Sequence, residues 1–109
     1  MTKINLRKQY PDYYKADTFI EVPDEVAERL EDYCMEFACR WLWEDPNGQK
    51  LLQEVGGVTC AVYGAPDFID YLNRWVFPQE PSSLVRELDF YGYEEVFPEE
   101  YRQYPRFNF

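Results

Sequence analysis

PDEVAERLEDYCMEFACRWLWED, residues 23–45, is the stretch on which the fold turns. It holds eight acids, two arginines and four large aromatics, so it is too charged for a core segment and too aromatic for a linker. Val26, Leu30, Tyr33, Phe37 and Trp41 recur at spacings of three and four, which is the apolar stripe of one amphipathic helix over residues 24–45. Asp24 and Glu25 suit the positive end of a helix dipole, just after Pro23. Glu25, Glu28, Glu31, Asp32, Glu36 and Glu44 then take the solvent side, relieved by Arg29 and Arg40, and residues 24–45 sum to a net −6. The aromatics are the buried face and the acids the exposed one.

Outward from this helix, DTFIEV reads as a short strand that Pro23 stops, because proline lacks a ladder donor. The first fifteen residues set Lys3, Arg7, Lys8 and Lys15 against Asp12, a basic end of net +3. On the other side, DPNG offers Asp45 as a cap and Pro46 as a first helical residue. A short helix through Leu51, Leu52 and Val55 is then expected to end at Gly56-Gly57. VTCAVY, residues 58–63, is an apolar run of strand length, expected inside the sheet. Phe68, Ile69, Leu72, Trp75 and Val76 share a face of a third helix over 66–77, and Ser82 or Ser83 caps a fourth, SSLVRELDFY, with Gly92 beyond its end. The tail PEEYRQYPRFNF fits a short helical turn with an extended end. The expected fold is a compact α+β domain over residues 1–109, three to four helices with a small two- or three-stranded sheet.

A chain of 109 residues fits one core. Its net charge of −10 disfavours direct nucleic-acid binding and anionic membranes, and makes a basic protein surface the natural partner. Three cysteines cannot all pair, and no signal peptide or membrane-length apolar run is present, so a reduced cytoplasmic chain is expected. Cys34 and Cys39 lie about 140° apart around a helix and there is no histidine, so with Cys60 they are expected to be buried small hydrophobes and no metal is assigned. Without histidine a general base must come from a carboxylate, Tyr, Lys or Cys, and adjacent acids such as Glu94-Glu95 and Glu99-Glu100 define no cleft. Gly56-Gly57 lacks a phosphate-loop context, so neither cofactor nor catalytic residue is assigned and the chain reads as a non-enzyme. Oligomeric state is not set by the sequence.

The acids form two segments. Along residues 24–45, about 33 Å of helix, net −6 is one charge per roughly 5.5 Å, against about 3.4 Å for a DNA strand. Residues 80–100 carry seven acids and Arg86, another −6, so the two together approach a DNA mimic only where the fold makes them neighbours. Ten tyrosines exceed the needs of a small core, and tyrosine beside carboxylate suits an interface. The partner-binding candidates are Glu28, Asp32 and Glu36 on the first segment, and Glu87, Asp89, Tyr91, Tyr93, Glu94 and Glu95 on the second.

INLRKQYPDYYKADTFIEVPDEVAERL, with its NLR, YP-x-Y and F-x-EVPDEV elements, resembles the opening of short sigma-like proteins on Gram-positive mobile elements and phages. The resemblance covers about a quarter of the chain and implies an accessory role in transcription or transfer, with the basic N-terminus as contact. No basic helix-turn-helix follows it. In size, charge and implied origin the whole chain looks like the anti-CRISPR and anti-restriction inhibitors, an analogy implying that it occupies the basic groove of an RNA-guided nuclease.

Overall fold

β1 (Thr2–Gln9) and β2 (Tyr14–Val22) pair antiparallel along their whole length, Thr2 opposite Val22 and Gln9 opposite Lys15. In this computed structural model residues 1–9, 14–91 and 99–108 are described. Strand alternation sends Ile4, Leu6, Ile20 and Val22 to one face, where they join the main core, and Asn5, Arg7, Asp17 and Phe19 to the other. β5 (Ser83–Tyr91) adds antiparallel to β2 and β6 (Arg106–Asn108) adds parallel to β1, giving the order β5-β2-β1-β6.

The α+β class holds, but the sheet has four strands rather than two or three. β1 lies in the basic segment, where no strand was expected. β5 replaces the expected fourth helix. Leu84, Val85 and Leu88 do fit a helical face, yet the open edge of β2 draws the nine residues into a ladder, which suits Val85, Phe90 and Tyr91. Ser82 is not a cap: its N–H donates to Asn73 Oδ1 at 2.7 Å and its carbonyl accepts from Asn73 Nδ2 at 3.1 Å.

The expected single helix is a bent rod of four pieces: α1 (Asp24–Glu28), α2 (Leu30–Glu36), a π turn (Phe37–Trp41) and α3 (Leu42–Glu44). Arg29 breaks it, with φ −125° and ψ 41°. The apolar stripe still turns inward as its spacing requires, burying Val26, Leu30, Phe37 and Trp41 with Tyr33 half-buried. Asp45 caps α4 (Pro46–Gln49), accepting the Asn47 N–H at 2.9 Å. A Cβ on Gly48 would lie 2.4 Å from the Trp41 carbonyl oxygen, so only glycine lets α4 pack against the rod.

The short helix expected to run on to Val55 stops at Gln49. β3 (Leu52–Val55) and β4 (Val58–Ala61) form a separate hairpin around Gly56 and Gly57, whose φ of 59° and 81° are turn values that glycine supplies. VTCAVY is therefore not an interior strand: Val58 and Val62 are 62% and 63% exposed. Its apolar composition was read as burial, but this ribbon pairs only with itself and has no layer over its outer face. The third helix is as expected, α5 (Ala65–Tyr71) continuing through a second π turn (Leu72–Val76).

On the face of the sheet away from the helices, Asp17 accepts from Asn5 Nδ2 at 3.0 Å and from Arg7 Nε at 2.6 Å and Nη2 at 3.3 Å. Phe19 beside them meets Tyr104 edge-on, ring centres 6.2 Å apart. Tyr104 follows a 3-10 turn (Glu99–Tyr101), and Asn5 N–H donates to the Pro105 carbonyl at 2.8 Å, so the C-terminal segment covers this face.

Candidate partner-binding surface

The rod and the α5 helix cross with their two π turns close together. Trp41 and Tyr71 are fully buried there and Phe37 nearly so, with Phe37 stacked on Trp41 at 5.1 Å and edge-on to Tyr71 at 5.7 Å. Over this aromatic floor lies a connected polar network. Tyr71 Oη donates to Glu36 Oε1 at 2.8 Å, and Arg40 reaches Glu36 at 3.7 Å and Glu44 at 3.2 Å while its guanidinium sits 5.6 Å from the Trp75 ring centre. Trp75 Nε1 donates to Asp45 Oδ2 at 2.9 Å, and Arg74 pairs with Asp45 and, at 3.1 Å, with Asp70.

Burial first, and then the bond to Glu36, pushes the Tyr71 hydroxyl far above the usual tyrosine range, so it keeps its proton and acts as a fixed donor. Burial also raises Tyr33, helped by Glu25, and holds the Cys34 thiol up at about 12. At Asp45 burial works upward but is outweighed by hydrogen bonds from Arg74, Asn47 and Trp75, leaving the carboxyl below its ordinary value. Cys34 is the buried hydrophobe expected; Cys39 and Cys60 are exposed, because one faces outward on the rod and the other lies on the open hairpin. Among the described residues no cluster of three or more Asp, Glu, Cys or His side chains is placed to hold a metal ion, and no helix is long and apolar enough to cross a membrane.

The sequence candidates divide. Glu28 ends α1, exposed. Asp32 is exposed and accepts from Arg29 Nε at 3.2 Å. Glu36 belongs to the crossing, holding Tyr71 and Arg40, so its charge is already answered within the molecule. Glu87 lies on β5 opposite Thr18, beside a cleft of about 170 Å³ lined also by Lys8 and Gly64–Pro66. Asp89 and Tyr91 stand opposite Ala16 and Tyr14 on the same strand. Tyr93, Glu94 and Glu95 lie outside the described residues. The two acidic segments thus occupy different elements, a crossing rod and a sheet edge, rather than two helices side by side.

The basic N-terminus is not a loose arm. Arg7 is 5% exposed and bound to Asp17, while Lys8 donates to the Tyr63 carbonyl and lies 5.7 Å from that ring's centre. Deleting residues 1–15 would remove a central strand instead of a contact site. The crossing network escaped the sequence reading, although Glu36, Arg40 and Glu44 at i, i+4 spacing announced part of it.

The chain matches no protein-family model, no curated protein and no solved structure.

Proposed function

We propose that this chain is a non-enzymatic inhibitor, carried by a phage or mobile element, that occupies a basic nucleic-acid-binding surface of a CRISPR effector nuclease in the host cytoplasm. One observation carries the reading. The acids of the rod are concentrated at its beginning: residues 24–32 hold five acids and one arginine, net −4. At 1.5 Å per residue that is about 13.5 Å of helix, or one charge per roughly 3.4 Å, the spacing along a single DNA strand. Asp24, Glu25, Glu28, Glu31 and Asp32 are all exposed. Further along the rod Arg40 neutralises its own neighbours, so the early turns supply the outward field. Glu87, Asp89, Tyr91, Tyr93, Glu94 and Glu95 form a second contact in this scheme.

The test is competition. Purified protein is titrated against a guide-loaded nuclease and labelled target duplex, at low and moderate salt. Displacement of the duplex that weakens with salt, and is lost in the Glu28→Lys, Glu31→Lys, Asp32→Lys triple variant, is the expected outcome, because interfacial charges of this kind set association rate and salt dependence. Duplex binding that persists under excess protein, or equal potency of the triple variant, rejects the reading. Glu36 is left intact in this variant, since its loss would disturb the helix crossing.

A further inference from the structure

The solvent side of the rod is divided lengthwise into two rows. Along an unbroken α-helix, residues four apart drift by about 40° per step. The π turn Phe37–Trp41 spends more residues on each circuit, and it lies between Met35 and Trp43. Met35, Cys39 and Trp43 therefore fall close to one line along the rod instead of spiralling around it. All three are exposed, Met35 by 56% and Trp43 by 51%, and each is followed by a charged residue of the neighbouring row. A line of large apolar side chains edged with carboxylates has the composition of an interface anchor, tryptophan above all.

We propose that this row is the docking site for a basic amphipathic helix of a protein partner, its apolar side chains resting on Met35, Cys39 and Trp43 and its Lys or Arg groups reaching Glu31, Asp32 and Glu44. Charge selects the occupant. A second copy would bring another body of net −10 with the same acidic edge, and an anionic lipid surface is repelled in the same way. A cationic segment gains from both rows at once. The inference rests on the basic-partner reading above and adds the place where the partner's apolar residues sit.

The full chain is titrated with two synthetic helical peptides of equal charge, one of leucine and lysine in amphipathic order and one with every leucine replaced by alanine, which keeps helix propensity. Calorimetry gives affinity and tryptophan emission reports the surroundings of Trp43. The leucine peptide is expected to bind at least about tenfold more tightly and to shift the emission to the blue, and the Met35→Ser, Trp43→Ser double variant is expected to lose that preference while Trp43→Phe retains it. Circular dichroism checks that the double variant, altered at exposed positions, is folded. Equal affinity for both peptides, or a preference that survives in the double variant, overturns the docking row and leaves the basic-partner reading standing. No binding of either peptide counts against both. A dimer in sedimentation that the double variant dissolves assigns the row to a second copy and likewise overturns the proposal.

Discussion

β1 carries Asn5 and Arg7 at its centre and is covered on both faces, whereas β4 is Val-Thr-Cys-Ala and stands in solvent on a two-stranded ribbon. Composition would order them the other way. The difference lies in what each strand is given to pair and pack with. β1 has a neighbour on either edge, helices on one face and the C-terminal segment on the other, and its polar residues survive burial because Asp17 receives both. β4 has one neighbour, and Val58 and Val62 have no cover among the described residues. Burial is a property of place, and a polar group can hold a central place when its partner comes with it.

The largest effect that tests this contrast is at Asp17. Asp17→Ala leaves Arg7 without its carboxylate and is expected to cost about 3–5 kcal/mol in denaturant unfolding. A paired Arg7→Met, Asp17→Leu replacement should cost much less, since no lone charge remains. Asp45→Ala comes next, at about 2 kcal/mol, because it removes a helix cap together with the bonds to Trp75 and Arg74. Since the folded Asp45 carboxyl titrates below its unfolded value, its contribution is complete above about pH 4 and is lost as pH falls through the lower, folded value. The stability gap between wild type and Asp45→Ala should therefore close in acid, which a denaturation series at falling pH will show.

In the hairpin the effects should be smaller and local. Gly57→Ala places a Cβ at φ 81° and is expected to cost about 1 kcal/mol, read as faster amide exchange in β3 and β4 with β1 and β2 unchanged. Val58→Thr should change global stability by less than about 0.5 kcal/mol. A loss there as large as that of a core truncation would mean that the ribbon is covered in solution, and the contrast with β1 would fail.

Legibility followed the same line. The rod's inner face could be read from 3.6-residue spacing because its contacts are set by local periodicity, and Asp45, Pro46 and the α5 helix declared themselves by cap chemistry. β1 and β5 could not be read so easily. NLRK has no continuous apolar pattern until Asp17, ten residues beyond Arg7, is brought opposite it, and SLVRELDFY satisfies either period until β2 offers an edge. For the site, exposure of Glu28 and Asp32 was legible from their phase on the rod. The inward commitment of Glu36 was not, because its partner Tyr71 is thirty-five residues away.

The π turn at Phe37–Trp41 also bears on how the chain can change in length. A substitution in this stretch alters one side chain, but deleting one residue would let the turn revert toward α-helical winding and rotate everything after it by up to about 100°. Trp41 would leave the crossing, Arg40 would part from Glu36 and Trp75, and the line from Met35 to Trp43 would be cut in the middle. Insertions and deletions here are thus coupled to two surfaces at once, so descendants of this chain are expected to vary in the residues of the rod while keeping their number.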